Sequence, residues 1–384
     1  MPGNQPGALD GVRIIDLSRV LAGPHATMLL ADLGAEVIKV ERPGAGDDTR
    51  TWGPPWFDGE ATYFLSANRN KTSIPLDLTR DEDRARLREL IAAADVLVEN
   101  FRPGTLDKYG LGYGQLASAN PGLVYCSITG FGSGGGAHLA GYDLIAQAAG
   151  GLMSITGHPE TGPAKVGVAV VDVITGLHAA IGIQAALRHR DATGKGQLVE
   201  VNLISSLLSA LSNQASAHVL TGAVPIALGN AHPSVAPYQP IATADRPLAV
   251  AATTDRQFKI LVSAIGRTEL ASDVRFASNA LRVAHRVELI DALEQTFMTQ
   301  SADYWFSLLS ARGVPCGPIN DLAQAFQLAI DLGLEPVVDG ASDGTRKIAQ
   351  VRNPISMSLT PATYRLPPPK LMVRRSGFRS VGYR

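Results

Sequence analysis

Short β-branched runs alternate with helical stretches through the first half of this chain, and that alternation limits the fold more than any other feature. "VRIIDL" (12–17) reads as a strand. A loop, "SRVLAG", follows. Pro24 then stands where helices accept proline, at the first position, and "HATMLLADLG" continues as helix to Gly34, a C-terminal stop. "EVIKVE" (36–41) is the next strand, so the three elements form a strand–helix–strand unit, which favours parallel pairing. The pattern recurs in "SIPLDL" (73–78), the amphipathic "RDEDRARLRELIAAA" (80–94), "DVLVEN" (95–100) and "LVYCSIT" (123–129). Such alternation predicts a doubly wound α/β domain.

Further on, a long helix is expected after Asp172. Gly176, Ala179, Ala180, Gly182 and Ala186 recur there at helical spacing, which lets another backbone approach closely. The stretch 194–222 predicts one more turn and another long helix. Composition then shifts to a Pro/Gly-rich segment near 222–240. A second α/β section follows, with a strand over 247–253 and helices near 255–265, 285–298 and 302–311. A turn-rich crossing over 312–321, a short strand over 345–351 and a Pro-rich tail complete the chain. At 384 residues, two domains are expected.

Net charge is −1, from 34 basic and 35 acidic residues, so no field of one sign directs the whole molecule to nucleic acid or to a membrane. No apolar run comes near the roughly 20 residues needed to span a bilayer, and the N-terminus lacks the features of a signal peptide. Cys126 and Cys316 are the only cysteines, which fits reduced thiols and a cytoplasmic protein. The eight histidines are scattered without metal-ligand spacing, so no metal site is expected. No G-x-S-x-G is present. "GFGSGG" (130–135) matches a dinucleotide fingerprint as a string but lacks an immediate helix and a following acid, so a glycine loop is the better reading.

Two features point to chemistry. A helix starting near Pro24 offers free backbone N–H groups to an anion, and Arg42 closes the next strand, where it either completes a phosphate site or pairs with Glu41 or Asp47. The second is "VGVAVVDVITG" (166–176), an apolar run that leads into Asp172. The carboxylate there is either a helix N-cap or a poorly hydrated nucleophile, with burial raising its pKa and helix N–H groups lowering it.

Several blocks together carry a family resemblance. "LDGVRIIDLSRVLAGPHATMLLADLGAEVIKVERPGAGDDTR", "NKTSIPLDL", "ADVLVENFRPGTLDKYGL", "GYDLIAQAAGGLMSITG", "VGVAVVDVITGLHAAIGIQAAL", "TGKGQLVEVNL", "GNAHPSVAPY" and "GVPCGPINDLAQA" occur in order from about residue 8 to about 369. In these the chain resembles the class III CoA-transferases. The resemblance implies a Rossmann-like large domain over 1–200, completed by 340–384, with a linker helix and loop over 201–235. It places a small α/β domain over 236–325 and a return linker over 326–339. It also implies an interlocked homodimer, with acyl-CoA and a carboxylic acid as substrates and no tightly bound cofactor.

By the same resemblance Asp172 is the nucleophile, carrying first an acyl group as an anhydride and then CoA as a thioester. Coenzyme A would lie at Ala22, Arg42, Leu76, Asn100, Phe101 and Lys108. Gly150–Gly151 or Gly229–Asn230 could donate N–H groups to the oxyanions. Three departures stand out. Leu21 replaces a glutamine of the formyl-CoA branch, which argues against formate or oxalate. Lys108 replaces an arginine, which keeps the charge but not bidentate pairing. The final "PPPKLMVRRSGFRSVGYR" departs from the family's usual ending. One alternative is the racemase branch, which abstracts an α-proton with a histidine in "GHD". Here the stretch is "GYD", and Tyr142 with an ordinary pKa near ~10 is a poor base at neutral pH. A CoA-binding protein without catalysis is the other. The donor and acceptor acids are not readable from these residues.

Overall fold

Six short strands set the frame of the first part of the chain: β1 (Arg13–Asp16), β2 (Glu36–Glu41), β3 (Lys71–Pro75), β4 (Val96–Glu99), β5 (Val124–Thr129) and β6 (Leu198–Asn202). In this computed structural model, which describes residues 6–340 and 347–372, they form one sheet in the order β3-β2-β1-β4-β5-β6, with every pairing parallel. A parallel sheet needs crossovers, and helices on both faces bury both sides of the central strands β1, β4 and β5. The helices that matter here are α1 (Ala22–Asp32), α2 (Asp81–Ala92), α3 (Asp143–Ala149) and α4 (Val170–Thr193). Ile14 points into one layer with Ala26 and Leu30 of α1 and Ala179 and Ile183 of α4. Its neighbour Ile15 points into the other, with Leu87 and Ile91 of α2. The strand order reverses between β1 and β4, and the loops leaving their carboxyl ends diverge there to open a crevice.

Packing of α4 on α1 brings the two helix starts together. A Cβ on Gly176 would lie 2.6 Å from the Ala22 carbonyl oxygen, so only glycine permits this approach. Asp172, one turn earlier on α4, is thereby carried to the mouth of α1. By length and composition alone α4 is apolar enough to cross a bilayer, with a mean hydropathy of 1.6 over its best window, and half of that window is buried in the protein. This corrects the expectation that no apolar segment approaches that length.

Other elements differ from their predicted form. The helix α1 begins at Ala22, which puts Pro24 at its third position. First-turn N–H groups have no intrahelical acceptor, so the missing donor still costs nothing. Within the stretch 194–222, expected to form a turn and a long helix, "LVEVN" instead forms the edge strand β6, from Leu198 beside Tyr125 to Asn202 beside Thr129. The long helix expected to 222 is two helices, α5 (Leu203–Ala210) and α6 (Ser212–Thr221), broken at Ser212, whose φ is +44°.

Two units emerge from the packing: Met1–Leu152 with Val166–Ala223 and Glu335–Arg384, and Met153–Lys165 with Val224–Leu334. The first therefore extends past residue 200 through α5 and α6. In the second, β7 (Tyr238–Ile241), β8 (Leu248–Ala251) and β9 (Cys316–Pro318) form an antiparallel sheet in the order β9-β8-β7. The turn-rich crossing over 312–321 thus contains a strand. Phe258, Leu289, Leu293, Phe297 and Trp305 fill its core, and the Trp305 indole N–H donates to the Phe297 carbonyl at 2.8 Å. Of the strand expected over 345–351, Gln350–Val351 pairs with Val337–Val338. Residues 345 and 346, and the tail from 373 onward, lie outside the described residues.

Candidate active site

The crevice at the carboxyl ends of β1, β4 and β5 holds a cavity lined by Arg19, Val20, Leu21, Ala22, Asn100, Phe101, Gly130, Phe131, Tyr142 and Asp172, among others. Its first wall is the bend after β1. Val20 has φ +70°, a left-handed conformation that strains a β-branched residue by about 1–3 kcal/mol. Neighbours hold the bend in place. Asn100 accepts the Arg19 N–H at 2.9 Å and donates its amide to the Arg19 carbonyl at 2.7 Å. Asp47 accepts the Val20 N–H at 3.3 Å. A second wall is the glycine loop after β5. Its ends touch at Gly130 and Gly141, where a Cβ on either would lie within 2.5 Å of the other's Cα. "GFGSGG" belongs to this wall, and turns rather than a helix follow it.

Asp172 is the third residue of α4 and 8 % exposed. It is not the cap of that helix. Asp143, on α3, takes the capping role from outside: its Oδ1 accepts the N–H groups of Val171 at 2.8 Å and Asp172 at 3.2 Å. The Gln147 amide donates to the other Asp143 oxygen at 2.6 Å, and Gln147 in turn accepts the Val166 N–H at 2.9 Å. The N–H groups that would have calmed the Asp172 carboxylate are therefore occupied, and among the described residues nothing donates to it. Burial, and after it the charge of Asp143, pushes the Asp172 pKa up to about 7. The phenol of Tyr63 is pushed up to about 12, by burial and then by Asp172 and Asp143. Tyr63 stands edge-on to Trp52, with ring centroids 5.3 Å apart.

A second cavity adjoins the first, lined by Arg42, Leu76, Lys39, Asp47, Thr105 and Tyr109, among others. Arg19 and Phe101 line both cavities. Six residues were expected to gather around one ligand. Ala22, Asn100 and Phe101 lie with Asp172, whereas Arg42 and Leu76 lie in the second cavity with Phe101 again. Lys108 lines neither and sits exposed in the turn Asp107–Tyr109. The α1 mouth and Arg42, read as one anion site, thus belong to different cavities. Arg42 pairs with Asp48 and not with Glu41 or Asp47, because Arg50 holds Glu41 and Lys39 holds Asp47. Of the N–H groups expected to serve as oxyanion donors, that of Gly150 donates to Ala146 at 2.8 Å and that of Gly229 to Gly157 at 3.0 Å, so these two are already committed. Among the described residues no three His, Cys, Asp or Glu side chains are grouped to hold a metal ion.

Sequence reasoning passed over two residues here. Asp143 follows Tyr142 in "GYD", but its work is to cap a helix that starts 27 residues later, which only tertiary structure reveals. Arg19 reads as an ordinary loop arginine. Its only sequence signal is its place between a strand and a helix mouth.

The pattern of CoA-transferase family III matches residues 9–372. A succinate–glutarate CoA-transferase from Agrobacterium fabrum is 45% identical over 97% of this chain and 94% of its own length. A succinyl-CoA:glutarate CoA-transferase from Mus musculus is 46% identical over 84% of this chain and 74% of its own. Among solved structures, a CaiB/BaiF family protein from Brucella suis superposes with a TM-score of 0.85 at 43% identity, covering 96% of this chain and 97% of that one.

Proposed function

This chain belongs to CoA-transferase family III and is a CoA-transferase, and on that premise we propose that Asp172 carries the acyl group and CoA in turn, with short dicarboxylic acids such as succinate and glutarate as the partners. The observation that carries the reading is the bare Asp172 carboxylate: buried, without a hydrogen-bond donor, and facing a cavity. An anion that poorly hydrated is a strong nucleophile. The names of the two relatives support the diacids.

The steps balance without an external energy source. An Asp172 oxygen attacks the thioester carbonyl carbon, the C–S bond breaks, and CoA thiolate leaves an aspartyl–acyl anhydride. The thiolate attacks the aspartyl carbonyl, releasing the first acid and forming an aspartyl-CoA thioester. The acceptor carboxylate attacks that carbon and expels thiolate, which then takes the new acyl group and frees the Asp172 carboxylate. An anhydride stays activated throughout, so the thioester energy is kept.

Coenzyme A would lay its phosphate end against Arg42 and Leu76 in the second cavity and pass Phe101 to bring its sulfur to Ala22, Asn100 and Asp172. Lys108, exposed nearby in sequence, would serve as a point charge. The active form is a homodimer whose two chains interlock. Exposed apolar side chains on α6, Val219 at 78 % and Leu220 at 79 %, support burial against a second copy. Two unpaired cysteines support a reducing cytoplasmic setting.

The test is to incubate the enzyme with succinyl-CoA and glutarate in deuterated water. Glutaryl-CoA without deuterium at the α-carbon is the expected product by mass spectrometry. Deuterium incorporation without CoA movement would mark a racemase and sink the proposal.

A further inference from the structure

Arg19 stands on the wall shared by the two cavities, and its bonding is incomplete. Its Nη1 donates to Asp48 at 3.1 Å, and its guanidinium lies 5.4 Å from the centre of the Phe101 ring. Its Nε is buried and has no acceptor. No partner is found for Nη2 among the described residues either. The free Nε–Nη2 edge is one of those with which arginine grips a carboxylate through two parallel bonds. The backbone under it is built to stay put, since Asn100 grips both its N–H and its carbonyl and the next residue, Val20, is held left-handed. A strained, doubly anchored position for a cation at the wall of a reaction cavity calls for an anion there.

We propose that Arg19 binds the remote carboxylate of the dicarboxylic acyl group and so selects diacids over monoacids. The inference rests on the dicarboxylate reading above. Arg19 and Asp172 line the same cavity, so a diacid joined to Asp172 at one end presents its free end to that wall. Nε is buried where it stands, so the guanidinium must turn to present this edge to a carboxylate. What it gives up is one half-exposed ion pair with Asp48, a weak contact. The side chain of Leu21, on the same wall, has no donor for the remote carboxylate. The other cation lining this cavity is Arg102, which is exposed.

The test measures acceptor kcat/KM on the full-length enzyme with one acyl-CoA donor and two acceptors, glutarate and pentanoate, which differ in the remote carboxylate. The wild type prefers glutarate. Arg19→Gln is expected to lower kcat/KM for glutarate by about 10- to 100-fold and to change pentanoate far less. Arg19→Lys recovers part of the loss, because a point charge attracts the carboxylate without gripping it. Arg102→Gln leaves the ratio of the two acids unchanged. Equal losses on both acids, or a ratio that moves with Arg102 and not with Arg19, overturn the assignment. Should Arg19→Gln fail to fold, a folded Arg19→Lys variant with an unchanged ratio overturns it as well. A wild-type enzyme that does not distinguish the acids refutes the dicarboxylate reading itself, a different result from an altered enzyme that keeps the preference.

Discussion

Asp16 and Asp172 are both buried, both in the first unit, and both near α1, yet their surroundings are opposite. Asp16, at the end of β1, is fully buried. It accepts bonds from the Ser18 N–H at 2.9 Å, the Ser18 hydroxyl, the Thr27 hydroxyl at 2.7 Å and Lys71 at 3.1 Å. Burial by itself would raise its pKa, but Lys71 and Lys39, helped by the two hydroxyls, overcome that and hold it at about 2. Asp172 is almost as buried and has none of this. Its helix donates to Asp143 instead, and a second negative charge adds to the burial. Burial does not make a carboxylate reactive. Withholding its donors does, and here a neighbouring aspartate does the withholding.

Breaking the reactive member should have the largest effect. Asp172→Asn is expected to cut CoA transfer by about 10⁴-fold or more while the fold survives. The stability sign is fixed by the raised pKa. A carboxyl with a folded value of about 7 and an ordinary value of 3.8 lends its stability below 3.8 and loses it as the pH rises to 7. Asp172→Asn should therefore stabilise the protein at pH ~8, by about 1–4 kcal/mol, and hardly at all near pH ~4; urea unfolding at the two pH values checks this.

Breaking the saturated member should act on folding. Asp16→Asn leaves Lys71 without the carboxylate it pairs with, at a cost of about 3–5 kcal/mol near neutral pH. Here the folded pKa is depressed, so the stability contributed by Asp16 is present above 3.8 and lost as the pH falls toward 2. Chemical denaturation across that range should show the wild-type advantage shrinking, and turnover per folded molecule should suffer far less than with Asp172→Asn.

Two finer tests sharpen the contrast. kcat/KM for acyl-CoA should climb about tenfold per pH unit below neutrality and level off near pH 7, where the free Asp172 carboxyl ionises. Asp143→Asn removes the like charge and should move that break to lower pH. An initial-rate pH profile reads both. A break that stays in place would mean that burial alone sets the Asp172 value.

Much of the sheet was legible because parallel strands buried on both faces, such as "RIID" and "VLVE", read as apolar runs wherever they sit. The edge strand β6 was not, since "LVEVN" follows the turn at Gly196 and precedes a helix with no break between. Gly196 is there because a Cβ would lie 2.1 Å from the Leu123 carbonyl oxygen, a contact that no local pattern signals. At the site, Asp172 was visible as an acid in an apolar run, but whether it capped its helix was not. That depended on Asp143, 29 residues away. The split of the expected CoA residues between two cavities, and the unfilled edge of Arg19, exist only in three dimensions.

The account stands on the oxygen atoms of Asp172. If its carboxylate joins each acid through an anhydride, every acceptor molecule leaves one of its own oxygens behind on that side chain. Turnover with glutarate labelled with ¹⁸O at both carboxylates, followed by digestion and mass spectrometry, should put the heavy isotope on the peptide containing Asp172 and on no other. Label that stays on the acid through many turnovers, or that appears on a different residue, contradicts the account.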